Sequence, residues 1–220
     1  MPKNVCVIVG VGPGVGLAVA KRFAREDFSI ALIARRQGAL DKYVLEMNQL
    51  GFNDVRAYSA DVSDFKQIEN TFAQINQDLG STDVLVYNAA VLKAGYPSKS
   101  SPERLVEEFK VNVAGALSAV QQVLPVMTEK KQGTILFTGG GLAIEPYPQY
   151  SSLAIGKAGI RSLAFSLASE LKAHNIHVAT VTISGMVKPD TKFDPDKIAE
   201  EYWNLYIQEP ANFEREFVFK

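Results

Sequence analysis

One cysteine, two histidines and one tryptophan are all that 220 residues offer of those types. The single cysteine, Cys6, excludes an intrachain disulfide and a cysteine-rich metal site. It fits a reducing compartment such as the cytoplasm. Neither sign of charge is in excess: Lys plus Arg is 23, Asp plus Glu is 24, and the formal net charge is -1. Without a basic surplus there is little to grip a phosphate backbone, so nucleic-acid binding is not expected. The sequence also lacks repeats, linkers and low-complexity tracts. Beyond the N-terminal stretch, no run approaches the ~18 apolar residues of a membrane span.

That N-terminal stretch, Val5 to Ala20, is uncharged and ends in Ala18-Val19-Ala20, which resembles a small-residue cleavage site. Four glycines and Pro13 interrupt it, which suits a continuous helix poorly. Its pattern also runs on past Ala20 through Lys21-Arg22-Phe23-Ala24. A strand, a glycine-rich turn and a helix explain the segment better than a signal peptide does.

What is present suits a folded chain: 47% hydrophobic and 21% charged residues. Short β-branched runs alternate with longer amphipathic stretches. Strands are expected at Val5–Val9, Ser29–Ala34, Val55–Ser59, Asp83–Tyr87, Gly133–Phe137 and Ile176–Ile183. Helices are expected at Gly14–Glu26, near Ala39–Leu50 with a stop at Gly51, and from a Ser63 or Asp64 cap to about Asp78. Two long helices follow, Pro102–Met127 and Ser151–His174, then a last one at Asp196–Gln208. Glu214–Phe219 alternates like an edge strand. Strands alternating with helices imply right-handed crossovers. The expected architecture is α/β: a single doubly wound Rossmann-type domain over residues 1–220, its seven-stranded, mostly parallel sheet covered by helices on both faces.

The turn Gly10-Val11-Gly12-Pro13-Gly14-Val15-Gly16 joins the first strand to the first helix. Glycines allow a tight turn and the close approach of a phosphate, and the helix N-terminus offers free N–H groups and partial positive charge to an anion. The glycine spacing alone is a weak signal; the strand-turn-helix context strengthens it. Leu17 after Gly16 excludes a Walker-type loop, which needs Lys there. After the second strand, Arg35 and Arg36 stand where an acid would read the ribose hydroxyl of NAD. Guanidinium groups suit a 2′-phosphate, so NADP(H) is expected in preference to NAD(H). A solvated surface pair is the competing reading of those two arginines.

With these features in place, the chain resembles the short-chain dehydrogenase/reductase family over nearly its whole length. Gly10, Gly14 and Gly16 match the family's glycine motif. Asp61-Val62 matches the pair that contacts adenine after the third strand, and Asn88-Ala89-Ala90 resembles the NAG motif with Ala90 in place of its last glycine. Asn112 in KVNVAGA matches the catalytic-helix asparagine, and Lys157 the lysine of YxxxK. The resemblance thus implies cofactor binding by Gly10, Gly12, Gly14, Val15, Gly16, Arg35, Arg36, Asp61, Val62, Asn88, Ala89 and Lys157. Gly185 and Val187, after the sixth strand, complete that set.

The active site departs from the family pattern. Leu153 stands four residues before Lys157, in the place of the catalytic tyrosine. Gly140 holds the place of the catalytic serine. Ser184-Gly185 replaces Pro-Gly, and little chain remains after Val187 for a substrate lid. In the family the tyrosine gives the substrate oxygen its proton, the lysine lowers that tyrosine's pKa, and the serine steadies the oxygen. General acid catalysis contributes about 10²–10⁴-fold, so its loss alone leaves room for a slow reaction.

Lys157 and Asn112 are therefore the expected catalytic residues, with Tyr150 as a candidate proton donor. Tyr150 lies two helical turns before Lys157, about 10.5 Å along the axis. Tyr147 and Thr138 are weaker candidates, and Lys157 itself could serve if burial lowered its pKa. Loop packing is the competing role for both tyrosines. His174, His177 and Cys6 suggest no metal site or nucleophile. Tyr202, Trp203 and Tyr206 could pack the last helix on the sheet, line a subunit contact or border a pocket.

Two functional readings follow. One is an NADP(H)-dependent oxidoreductase with a relocated proton source and an unidentified carbonyl or alcohol substrate. The other is a protein that binds NADP(H) without catalysis, as sensor or scaffold. The resemblance also implies a homodimer or homotetramer through the two long helices. No membrane or nucleic-acid partner is expected.

Overall fold

The computed structural model describes residues 3–220. Seven strands form one sheet: β1 (Val5–Val9), β2 (Ser29–Ala34), β3 (Val55–Ser59), β4 (Thr82–Tyr87), β5 (Gly133–Gly140), β6 (Ile176–Ile183) and β7 (Glu216–Phe219). Their spatial order is β3-β2-β1-β4-β5-β6-β7, and every neighbouring pair runs parallel. The chain reverses direction across the sheet between β1 and β4, which opens a crevice at the carboxyl ends of those strands. β1 and β6 are buried at every position, as continuous apolar strands covered on both faces should be.

Helices α1 (Val15–Ala24), α2 (Gln37–Gln49) and α7 (Pro195–Tyr206) cover one face. Phe23, Leu40, Met47, Ile198 and Tyr202 belong to that core. Helices α3 (Phe65–Asp78), α5 (Gly115–Lys130) and α6 (Ser151–Leu171) cover the other, with Phe72, Val120, Met127, Ile160 and Leu167 inward. Each such large side chain, fully buried, is worth roughly 1.5–3 kcal/mol. α3 begins at Asp64, whose carboxylate accepts from the Lys66 and Gln67 amides. The cap is thus Asp64 rather than Ser63.

Three sequence expectations change. The long helix expected over Pro102–Met127 is α4 (Pro102–Phe109), a π-helical turn (Lys110–Ala114) and α5, ending only at Lys130. The stretch Pro102–Lys130 is long and apolar enough to cross a membrane by length and composition, contrary to the sequence reading. Here Ala116, Ala119, Val120, Val123 and Met127 turn that apolar character into the core. The last strand is shorter than Glu214–Phe219, starting at Glu216, and pairs parallel with β6.

Tyr202, Trp203 and Tyr206 do not line the large cavity at the carboxyl ends of the strands. Trp203 and Tyr206 pack edge-on to Phe23, with ring centroids 5.4 and 5.5 Å away, and Arg22 lies over the Trp203 ring. His177 is buried, stacked on Phe213 at 4.1 Å, with Nε2 2.7 Å from the Glu214 carbonyl. Among the described residues no cluster of His, Cys, Asp and Glu could hold a metal ion.

Candidate active site

A cavity of about 1450 Å³ opens at the carboxyl ends of the strands. Its first part is the glycine turn. Gly10 adopts φ +88°, and a Cβ there would fall on the Ala89 backbone, so only glycine lets the β1 and β4 turns meet. Asn88 locks the two together by donating from Nδ2 to the Gly10 carbonyl, at 2.7 Å. A Cβ on Gly12 would meet nothing within 4 Å, so the turn borders open space. α1 starts at Gly14 with no side-chain cap and no acid in its first turn. Its free N–H groups and partial positive charge are available to an anion.

Arg35 and Arg36 lie at the exposed end of β2 and line the same cavity, as do Asp61 and Val62 after β3. Neither arginine has an ion-pair partner among the described residues. Partial burial opposes ionisation of the Asp61 carboxyl, but hydrogen bonds from Ser63 and the nearby Arg35 charge outweigh it and hold the pKa low. Asn88, Ala89, Gly185 and Val187 complete this wall. All the sequence-expected cofactor positions therefore face one space, and they offer a pyrophosphate a glycine cradle and a 2′-phosphate two unpaired guanidinium groups.

The far part of the cavity contains Lys157, Leu153 and Gly140. Lys157 donates from Nζ to the Thr138 carbonyl at 2.6 Å, and burial pushes its amine down to about 8. A Cβ on Gly140 would lie 3.4–3.5 Å from the Lys157 stem, ordinary contact, so the strand end has room for a side chain it does not carry. Leu153 is buried and gives the cavity an apolar inner surface. Tyr150, at the start of α6, and Tyr147 both line the cavity at its exposed rim. Tyr150 is held there because the Gly95 amide donates to the Gln149 carbonyl and the Ser151 hydroxyl to the Gly95 carbonyl.

Asn112 is not part of the cavity wall. It sits behind it in the π-helical turn, its Oδ1 accepting from the Val91 amide at 2.8 Å. Its Nδ2 is buried without a partner. A Cβ on Gly156 would overlap Asn112, so Gly156 is what admits the amide beside α6, one residue from Lys157.

The sequence reading missed a hydrogen-bonded chain under the floor. The Thr138 hydroxyl bridges Asn88 Oδ1 (2.8 Å) and the Tyr202 hydroxyl (2.6 Å). It ties α7 to the glycine turn. Burial pushes the Tyr202 phenol up, with the Thr138 bond only partly opposing, so it stays neutral. Val218 of the last strand and Lys220 just after it also reach the cavity, as do Leu92, Ile144 and Met186. Nothing local in the sequence links these distant positions; the parallel pairing of β7 on β6 does.

Comparison with known proteins is consistent with this arrangement. The family model described as short chain dehydrogenase matches residues 4–198. The 3-oxoacyl-acyl-carrier-protein reductase FabG of Thermotoga maritima is 29% identical over 197 residues, which cover 90% of this chain and 80% of the relative. The 2,3-dihydro-2,3-dihydroxybenzoate dehydrogenase of Bacillus subtilis is 30% identical over 179 residues, covering 81% and 68%. A crystal structure of a metagenomic short-chain oxidoreductase in complex with NADP superposes with a TM-score of 0.89 at 25% identity, covering 99% of this chain and 96% of that one.

Proposed function

Since this chain belongs to the short chain dehydrogenase family, we propose that it is an oxidoreductase that binds NADP(H) in preference to NAD(H), with a non-standard proton donor. The observation that supports this reading most is the continuity of one cavity from the glycine turn to Lys157. The glycine turn and the open N-terminus of α1 would hold the pyrophosphate. Arg35 and Arg36 would pair the 2′-phosphate. Asp61 and Val62 would flank the adenine, and Lys157, Gly185 and Val187 the nicotinamide end. The cofactor supplies or accepts a hydride.

On the protein's side, the proton needs another donor, because Leu153 and Gly140 occupy the positions where the family resemblance places tyrosine and serine. Lys157 fills this role best. Its amine lies at the inner wall, its pKa of about 8 leaves it mostly protonated near neutrality, and no acid among the described residues pairs with it. Tyr150 and Tyr147 stand at the exposed rim.

The Leu153 and Gly140 replacements also favour a second reading, a protein that holds NADP(H) without turnover. Calorimetric titration with NADPH and NADH tests the shared premise. Tight NADPH binding with weaker NADH binding is expected, and absence of both would overturn the two readings together. Turnover of a carbonyl or quinone panel then separates enzyme from sensor.

Assembly through α4–α5 and α6 belongs to the same proposal. Val106, Phe109, Leu117 and Ile155 keep apolar surface in water on these helices, and covering it would be favourable.

A further inference from the structure

The inner wall of Leu153 and Gly140 opens onto an apolar rim. Leu92, Ile144, Tyr147, Tyr150 and Met186 line the cavity while much of their surface stays in water; Met186 is 83% exposed. Apolar surface gathered around one concave site marks a ligand surface, unlike single exposed side chains scattered elsewhere. Glu145 and Lys220 bring one charge of each sign to this half, and Lys157 is the charged group at its inner wall.

The polar groups here are few. Thr138 gives its carbonyl to Lys157 and its hydroxyl to Asn88 and Tyr202. Neither Leu153 nor Gly140 offers a donor to a substrate oxygen. Hydride addition to an isolated ketone leaves a localised alkoxide, whose proton affinity is of the order of hydroxide's (water pKa about 15.7). Hydride addition to a quinone leaves an aromatic oxyanion akin to tyrosine's (pKa about 10). An apolar wall penalises a localised anion far more than a delocalised one.

Resting on the oxidoreductase reading above, we propose that the cavity takes a flat, uncharged acceptor of the quinone type in preference to an isolated ketone, with Lys157 as the catalytic residue that supplies the proton. The two C=O groups of the acceptor become two C–OH groups. It gains one hydrogen with an electron pair, as hydride from the reduced nicotinamide, and one proton as a Lys157 Nζ–H bond breaks. Water returns the proton to Lys157. The titratable groups sharing this half of the cavity are Glu145, Tyr147, Tyr150 and Lys220; burial alone sets the Lys157 value.

The test uses the purified full chain, with NADPH binding measured first by calorimetry. Naphthoquinone and tetralone, matched in size, are then compared for NADPH oxidation above the rate without protein. A kcat/KM at least 100-fold higher for naphthoquinone is expected, with kcat falling above about pH 8 and that limb flattened in Lys157→Met. Without cofactor, calorimetry with naphthoquinone should give a Kd at least threefold weaker for Met186→Ser, at a position too exposed to threaten folding. Leu153→Tyr with Gly140→Ser should raise tetralone turnover at least tenfold. NADPH binding with equal use of both compounds, or with neither reduced, overturns this inference alone. No NADPH binding overturns the oxidoreductase reading and this inference with it.

Discussion

Arg35 and Gly10 bear most of the expectation at the residue scale. A charge-assisted contact from Arg35 to a 2′-phosphate is worth about 1.5–3 kcal/mol. Arg35→Ala should therefore weaken NADPH about 10- to 100-fold by calorimetry and leave NADH within threefold; equal losses for the two would refute the 2′-phosphate role. Gly10→Ala forces a Cβ into the left-handed region, which costs about 1–2 kcal/mol, and onto the Ala89 backbone. Its Tm should fall by at least about 4 °C in a chain of this size. Glycine, arginine and asparagine positions were legible in the sequence because each is counted from the end of a strand, and strand ends fix where a side chain emerges. Thr138 paired to Tyr202 was not legible, since 64 residues separate them and only the docking of α7 brings them together.

The elements were legible to within a few residues, except where register changes inside one. Leu105, Phe109, Val113 and Ala116 keep a helical rhythm, so a continuous helix was the natural reading. The π-helical turn at Lys110–Ala114 adds a residue to one turn without disturbing the apolar pattern. That turn leaves Asn112 pointing at the Val91 amide and against Gly156, and such turns often mark functional positions. The start of α3 offers a simpler test. Asp64 satisfies two amides, and Asp64→Ala should cost about 1 kcal/mol, seen as a Tm lower by about 2–4 °C. An unchanged Tm would mean that water replaces the cap at no cost.

For the whole molecule, burial of His177 in β6 contributes to acid sensitivity. His177 is held neutral mainly by burial, which lowers its pKa below the usual 6.5, against the raising effect of the Glu214 carbonyl. The unfolded chain takes up the proton first as pH falls, so stability is full above about pH 6.5 and declines below it. His177→Gln should flatten that decline in urea midpoints measured between pH 7 and 5; an unchanged slope would place the acid sensitivity elsewhere. The exposed apolar positions of α4–α5 make a second prediction at this scale. Val106→Glu with Leu117→Glu should shift a dimer or tetramer to monomer by light scattering, with NADPH affinity retained. A wild-type chain that is already monomeric would remove the proposed assembly.

The bridge from Asn88 through Thr138 to Tyr202 has an optical consequence. Trp203, the only indole in the chain, is the next residue along α7, yet it lies outside the cavity among Phe23, Phe28 and Tyr206. Contact with the ligand is therefore not what changes its emission. NADPH can quench it from a distance, because reduced nicotinamide absorbs where indole emits, whereas a change produced by oxidised NADP, which lacks that absorption, reports a shift of α7 passed along the hydrogen-bonded bridge.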